Sequence, residues 1–533
     1  MQQKNHFPFG SRQGASVAVG LAAMLARVQS FVLSGLDDHP CEVEVDLAES
    51  GLPKTTVVGL PDAAVKESLE RVRSAIVNGG YAFPDGRLLV NLAPADLRKE
   101  GPIYDLPIAI GVLMANGSIS PPQRELRFDF RKYLFAGELA LDGRVRPING
   151  AISMALHAKR KGLQGVILPQ ANAREAAAVD GVQVLGVATL AAVVSLLNGT
   201  GPAIEPEPPV NVEEMITRAK ASVDFAEIKG QEAAKRAVII AAAGGHNLLM
   251  LGPAGTGKTM LAKALPGIIP PLSPDEALEV TRIYSACGLV GRGEGIITRR
   301  PVRTPHHTAS GPAIIGGGTI PKPGEVSLAH RGVLFLDELP EFSRMVLETL
   351  RQPLEDRVVT ISRAHSSLQF PADFMLVAAL NPTPRGDMPK GAEGQRVMER
   401  YLSRLSGPLI DRIDIHVEVP SLPYAKLRAR PDGESSEVLR QRVEVARQRQ
   451  AKRQGAGLLN SALSGKALDK YAVIDDLSAT LLAQAVSELG LSARAYDKVR
   501  RVARTIADLE ASEGIESQHV SEAVQYRLLD RML

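Results

Sequence analysis

Eight residues, Gly252-Pro253-Ala254-Gly255-Thr256-Gly257-Lys258-Thr259, follow the short apolar run Leu248–Leu251 and match the pattern G-x-x-x-x-G-K-[ST]. Glycine at these spacings lets the backbone turn tightly, so that successive N–H groups face phosphate oxygens. Lys258 brings a mobile cation to the β- and γ-phosphates, and the Thr259 hydroxyl is a ligand suited to Mg²⁺. A helix starting there adds its positive amino-terminal dipole. A glycine-rich turn would match part of this pattern. The whole of it, directly behind a strand, predicts a phosphate cradle.

Two further apolar runs end in polar residues of the right kind. Residues 333–336 lead into Asp337-Glu338. Asp337 is predicted to hold Mg²⁺ through water and Glu338 to polarise the attacking water. Residues 374–380 lead into Asn381. Its amide can orient that water against the γ-phosphate, the task of sensor 1 in AAA+ ATPases. These stretches together predict a nucleotide hydrolase with ATP as substrate and Mg²⁺ as cofactor.

The elements around them follow from composition and punctuation. A chain of 533 residues with 45% hydrophobic and 23% charged content is an ordinary globular protein of several domains. A net charge of +3 creates no global field, so any nucleic-acid signal must be local. Cys41 and Cys287 are too few for a disulfide framework and fit a reducing cytosol. No apolar run approaches the roughly eighteen residues that span a bilayer, so a cytoplasmic protein with no membrane partner is expected. Lys4 and Arg12 precede an apolar stretch at 15–26 that resembles a short signal-peptide core, but no small-residue cleavage site follows. Met24 is an alternative start, and residues 1–23 are expected to be a disordered extension.

Residues 24–197 read as one α/β domain. Residues 42–47 alternate as a strand, 61–76 form a helix started by Pro61 and stopped at Asn78-Gly79-Gly80, and 87–92 form a strand. Asp142-Gly143 is the pair that suits a type I′ hairpin turn. Residues 198–212 are rich in Pro and Gly and predict a semi-rigid linker. The ATPase core is expected at 213–420. Within it, Ser273-Pro274-Asp275-Glu276 is a capping box for a helix through Ser285. The glycine-rich stretch 288–324 is long for a connection and predicts an inserted functional loop or hairpin. Residues 357–363 and 368–370 predict a second hairpin. Residues 421–533 read as a helical domain, where Arg440, Arg442, Arg447, Arg449, Lys452 and Arg453 crowd one helix as a solvated face or a nucleic-acid contact.

Six stretches carry a family resemblance: Val57-Val-Gly-Leu-Pro-Asp-Ala-Ala-Val-Lys-Glu-Ser68, Asn91-Leu-Ala-Pro-Ala-Asp-Leu-Arg-Lys-Glu-Gly101, the 252–259 loop, Pro305-His-His-Thr-Ala-Ser310, Pro323-Gly-Glu-Val-Ser-Leu-Ala-His330 and Ser406-Gly-Pro-Leu-Ile-Asp-Arg-Ile-Asp414. In this order they resemble the ComM/YifB-type magnesium-chelatase-like AAA+ ATPases. That resemblance implies an α/β fold class: a Lon-protease-like amino-terminal α/β domain, a P-loop AAA+ α/β core and a carboxyl-terminal helical lid. It also implies a homo-hexameric ring, better-known members of which drive branch migration of DNA in natural transformation. By position, Arg412 matches the arginine finger that reaches a neighbouring subunit's γ-phosphate, with Arg404 the nearby alternative. Arg494 matches the sensor-2 arginine of the lid. The chain departs from the family after Asn381. Relatives carry cysteines there with zinc-site spacing, whereas Asn381-Pro-Thr-Pro-Arg-Gly-Asp-Met-Pro-Lys390 has none, so no bound zinc is expected. Ala254 stands where Pro is common.

Three classes of function compete. A Lon-like protease needs a nucleophilic Ser and a Lys base, but Ile103 and Ile152 occupy those positions by ungapped comparison. A magnesium-insertion motor shares the ATPase core but lacks the attached Lon-like domain. A DNA-remodelling motor is favoured over these and over a protein-remodelling ATPase. It is expected to bind single-stranded or branched DNA without sequence preference, with recombination proteins as candidate partners. Inserted hairpins line the channel in the resembling clade, so Arg292, Arg299, Arg300 and Arg303 in one insertion and Arg357 and Arg363 in the other are the expected phosphate contacts.

Overall fold

The computed structural model describes residues 25–48, 52–120, 128–219, 221–291, 293, 295–318, 321–363, 366–383, 391–424, 428 and 433–527. The apolar stretch at 15–24, Arg292 and most of the cysteine-free loop (384–390) lie outside these.

The amino-terminal unit begins with a four-stranded sheet in the order Ala26–Ser34, Asp37–Ala48, Arg87–Ala93, Lys54–Val58. Cys41, Val43 and Val45 are buried while Glu42 and Glu44 between them are half-buried, the alternation of a strand with one face on a core. On the open face Arg27 pairs with Glu44 at 3.3 Å. The helix Ala63–Asn78, capped by Asp62, whose carboxylate accepts from the Val65 N–H at 2.7 Å, packs on the helix Asp105–Ala115, which lies against the buried face. Pro61 thus lies outside the helix expected to start with it, in a bridge to Lys99. Every residue of the helix Asp105–Ala115 is buried. It approaches the sheet so closely that a Cβ on Gly111 would come 2.5 Å from Val45 Cγ2. Asp105, fully buried, is matched by the Arg71 guanidinium at 2.9 and 3.1 Å. Glu138–Leu139 pairs with Val145–Arg146 across Asp142-Gly143, the expected hairpin. A three-stranded parallel sheet, Tyr133–Phe135, Gly165–Pro169 and Gln183–Val187, completes the unit.

Between the helices Leu190–Asn198 and Val212–Arg218 the chain carries neither helix nor strand. Backbone N–H groups of Glu207 and Val210 nevertheless bond to Val184 O and Ala177 O, laying the segment along the amino-terminal unit.

The second unit is built on an all-parallel sheet in the order Val302–Arg303, Val333–Leu336, Met375–Leu380, Leu248–Leu251, Ile415–Glu418. Its central strands are apolar throughout because both faces are covered. Leu248, Met250, Val333, Phe335, Val377 and Ala379 enter one core cluster, and Leu249, Leu251, Leu334, Leu336, Leu376 and Ala378 enter the other. The first cluster is shared with the carboxyl-terminal helices. Val499, Val502 and Ile506 of Ala493–Leu509 join Val238 and Ile240 of Glu232–Gly244 there.

Two expectations about inserted segments change. The stretch 288–324 contains the edge strand of the main sheet, Val302–Arg303, as well as the helix Gly311–Ile315 and a ribbon of Gly316–Gly317 with Lys322–Pro323. A two-residue strand is too short to show a period in sequence. The second hairpin forms as Val358–Arg363 with Ser366–Pro371, but Arg357 precedes it, ending the helix Arg351–Asp356 at φ 58°. The basic helix Ser436–Gln454 is neither a uniform solvated face nor a free basic stripe. Arg447 donates to Ala242 O at 2.6 Å, Arg449 to Asp508 O at 3.1 Å, and Arg453 to the Asp508 carboxylate at 2.6 and 2.8 Å. Among the described residues no helix is long and apolar enough to cross a membrane.

The two units meet where the helix Ala151–Arg160 packs on Pro274–Ala286, the helix with the expected capping box. The Gly150 N–H bonds to Ser285 O at 3.2 Å, and buried Glu175 accepts from Ile152 N at 3.1 Å and from the Ser285 hydroxyl. Ile103 and Ile152 belong to one apolar cluster beside this seam.

Candidate active site

Because the sheet is parallel, the loops after Leu248–Leu251, Val333–Leu336 and Met375–Leu380 leave from the same edge, where open α/β sheets bind ligands. This convergence brings the 252–259 loop, Asp337, Glu338 and Asn381 together. Gly255 and Gly257 have φ of 76° and 95°, and a Cβ on either would meet nothing within 4 Å. Glycine serves backbone conformation there, and the cradle stays open. At Gly252 the reason is space, since a Cβ would lie 2.1 Å from Val419 O. The helix Lys258–Ile268 starts at the loop's end, aiming its amino terminus at the cradle. Thr256 Oγ1 donates to Pro253 O at 3.0 Å, holding Pro253-Ala254-Gly255 in a tight turn.

The side chains are already organised. Lys258 Nζ donates to Gly252 O at 2.6 Å, Pro253 O at 2.8 Å and Asn381 Oδ1 at 3.1 Å. Burial pulls this ammonium below its usual pKa, and the Asp337 and Glu338 carboxylates oppose the shift. Thr259 Oγ1 donates to Asp337 Oδ2 at 3.1 Å. A hydroxyl and a carboxylate at this separation form an oxygen donor set that fits a hard cation such as Mg²⁺. Glu338 sits at φ 53°, an unusual conformation for a residue other than glycine and one that clusters at functional sites.

Two residues given no role from sequence belong to this edge. His307 Nδ1 lies 3.2 Å from Glu338 Oε2, and its ring stacks on His306 at 4.2 Å and meets Phe342 edge-on at 6.4 Å. Two adjacent histidines in a chain with ten were the available signal. Gln231, left-handed at φ 61°, donates to Thr256 O at 3.2 Å and Pro420 O at 2.7 Å and so ties the loop to the end of the last core strand.

Arg412 and Arg494 are not at this edge. Arg412 lies just ahead of the strand Ile415–Glu418, and its backbone carbonyl accepts from Asn247, which precedes Leu248–Leu251. Both arginines line a cleft of about 640 Å³ that also includes Gly245 and Asn247, at the amino edge of the sheet. Arg412 is held by Glu355 and Pro408 O, whereas Arg494 is exposed in the first turn of Ala493–Leu509. Arg404 is elsewhere, 3.3 Å from Glu341. Beneath the cleft Asp414 is held ionised by Lys498 at 3.4 Å and His246 at 3.3 Å, which overcome the effect of burial on its pKa.

The expected DNA contacts separate in the same way. Arg300, its side chain only 10% exposed, donates to Pro270 O, Arg331 O and Pro271 O and pairs with Glu276 at 3.1 Å. Arg303 makes a two-pronged pair with Glu325 at 2.6 and 2.8 Å. Both are braces within the chain, since Glu276 and Glu325 flank the expected insertion and tie these two arginines to the helices on either side of it. Arg357 lines the cleft of Arg412, 3.5 Å from Asp373. Arg299 is exposed. Arg363 ends a hairpin strand, and its side chain lies outside the described residues.

Comparison with known proteins agrees with this geometry. Family models described as magnesium chelatase subunit ChlI, subunit ChlI of Mg-chelatase, and magnesium chelatase subunit ChlI C-terminal match residues 224–427, 43–172 and 433–527. The chain is 44% identical over 515 residues to competence protein ComM of Haemophilus influenzae, covering 96% of this chain and 98% of that one. It is 43% identical over 516 residues to protein YifB of Escherichia coli, with the same shares covered. It is also 27% identical over 196 residues to Lon protease 2 of Bacillus subtilis, 33% of this chain and 36% of that one. The fold is that of a Lon-like α/β unit joined to a P-loop AAA+ core with carboxyl-terminal helices, and the chain belongs to the ComM/YifB-type magnesium-chelatase-like AAA+ ATPase family.

Proposed function

We propose that this chain is one subunit of a homo-hexameric ring that hydrolyses ATP at sites shared between neighbours and uses the cycle to remodel DNA in the cytoplasm. The carrying observation is the separation of the two charged groups. Lys258, Asp337, Glu338 and Asn381 meet at the carboxyl edge of the sheet, while Arg412 and Arg494 meet at the amino edge. A strand of four residues at about 3.3 Å each keeps those edges more than a side chain's reach apart. One copy therefore supplies the cradle and the next copy the arginines.

In this site the cradle N–H groups and Lys258 bind the β- and γ-phosphates. Thr259 and Asp337 hold Mg²⁺, which neutralises phosphate charge when bound. Glu338 accepts the proton of the attacking water that Asn381 orients, and Arg412 and Arg494 of the neighbour stabilise charge on the transferred phosphoryl group. His307 holds Glu338 away from that task until the ring engages its polymer.

DNA is favoured as that polymer because a near full-length relative is named a competence protein. Arg299 and Arg363 are the retained contact candidates. The Lon-like unit, with Ile103 and Ile152 in place of an acylating pair, serves assembly or docking rather than proteolysis. The test is the Mg²⁺-dependent ATPase rate with and without single-stranded, duplex and forked DNA. Stimulation by DNA supports the motor, and an ATPase indifferent to every DNA sets the DNA role aside.

A further inference from the structure

The cleft that holds Arg412 and Arg494 is lined by two more arginines, Arg357, which lies 3.5 Å from Asp373, and Arg501. Arg494, Asp497, Lys498 and Arg501 fall at i, i+3, i+4 and i+7 of Ala493–Leu509, one stripe of the helix, and all four face the cleft. Apart from exposed Arg494, the other basic residues of this helix are engaged. Lys498 donates to Ile413 O at 2.9 Å and pairs with Asp414. Arg500 pairs with Asp469 at 3.1 Å, and Arg504 donates to Glu513 O and Ser512 O at 2.8 Å each. Arg501 differs. Among the described residues its half-buried guanidinium, left facing the cleft, makes no hydrogen bond and no ion pair, whereas Arg504, whose Nε is likewise unmet, is held through its other nitrogens. A guanidinium without a partner is free to take an anion that enters the cleft, whose wall also carries Glu355, Asp373, Asp411, Asp414 and Asp497.

We propose that Arg501 is a third cation of the shared site, contacting the polyphosphate of the nucleotide held by the neighbouring subunit, an inference that rests on the shared-site reading above. The planar guanidinium fork matches phosphate oxygens. Arg494 and Arg501 lie two turns apart, about 10 Å along the helix axis, so their side chains converge on a compact triphosphate between them. A nucleic-acid backbone fits less well, because the cations gather in one recess with Asp411 and Asp497 rather than along a groove.

The test uses full-length chains mixed in one assembly. Arg501→Ala alone is expected to lower kcat for ATP roughly ten- to a hundredfold, as for loss of one donor to a developing anion, while its own cradle still binds nucleotide. Mixing it with Glu338→Gln subunits is expected to restore turnover, because the intact cradle of one variant then meets the intact cleft of the other. Arg412→Ala mixed with Glu338→Gln is the control. If the control regains activity and the Arg501→Ala mixture does not, Arg501 acts within its own chain and the proposal fails alone. It fails equally if Arg501→Ala keeps full ATPase, whether or not DNA binding falls. If the control itself does not regain activity, the shared site is wrong and Arg501 falls with it. Should Arg501→Ala lower the Tm, Arg501→Lys keeps the charge beside Asp414 without the fork and is expected to show the same complementation.

Discussion

At the carboxyl edge of the core sheet the charged groups satisfy one another: Lys258 with Asn381, Thr259 with Asp337, Glu338 with His307. At the amino edge Arg412 is held by Glu355, but Arg494 is exposed and the Arg501 guanidinium makes no hydrogen bond or ion pair among the described residues, while Asp414, Lys498 and His246 form a buried frame beneath them. The first edge is organised before anything binds. The second is rigid underneath and incomplete on top, as expected of a surface finished by another copy of the chain.

The comparison breaks most sharply at Glu338. Glu338→Gln is expected to bind ATP and to lose on the order of 10²–10⁴ in turnover, the range for a positioned general base. Rate and nucleotide affinity measured together check this, and full turnover would remove Glu338 from its role. Arg412→Ala is expected to cost about 10³ in kcat with nucleotide binding by the variant's own cradle retained, which equilibrium binding of a fluorescent ATP analogue reads. Lys498→Met probes the frame under the arginines. It leaves Asp414 buried beside a lost charge, a change that costs about 3–5 kcal/mol, seen as a lower denaturation midpoint in urea. His307→Ala should act in the opposite direction from the other catalytic-edge variants. A contact between partly exposed groups of this kind is worth about 0–1 kcal/mol, so releasing Glu338 is expected to raise basal turnover several-fold at most and to shrink any stimulation by DNA. The smallest effect separates neighbours. Arg300→Ala is expected to lower stability by about 1–3 kcal/mol through its abandoned carbonyls and to leave DNA affinity alone, whereas Arg299→Ala should weaken DNA binding slightly and flatten its salt dependence.

The contrast between Arg299 and Arg300 also shows how far sequence reached. Adjacent arginines in a glycine-rich stretch look alike, yet one is exposed and the other is enclosed by three carbonyls and Glu276. Nothing local distinguishes them, because the partners come from residues 270, 271, 276 and 331. The edge strand Val302–Arg303 was hidden for a related reason: two residues show no alternation, and only the neighbouring Val333–Leu336 makes them a strand. His307 was visible as one of a histidine pair, but its role depends on Glu338, thirty-one positions away in the chain.

What the sequence determined by itself was whatever short-range physics controls. Glycine spacing dictated the phosphate cradle, Ser273 set a helix start, and apolar runs of four to seven residues marked strands buried on both faces. Parallel strands then required the polar residues after each run to share one edge. Tertiary structure alone decided which charges find partners. It placed Arg412, Arg494 and Arg501 in a single cleft on the far edge, gathered Ile103 and Ile152 into one apolar cluster, enclosed Arg300 and tied Arg303 to Glu325. A side chain's backbone preferences are set by its immediate neighbours, whereas its charge is satisfied by whatever the folded chain brings within about 3 Å of it, and those groups can lie anywhere in the sequence.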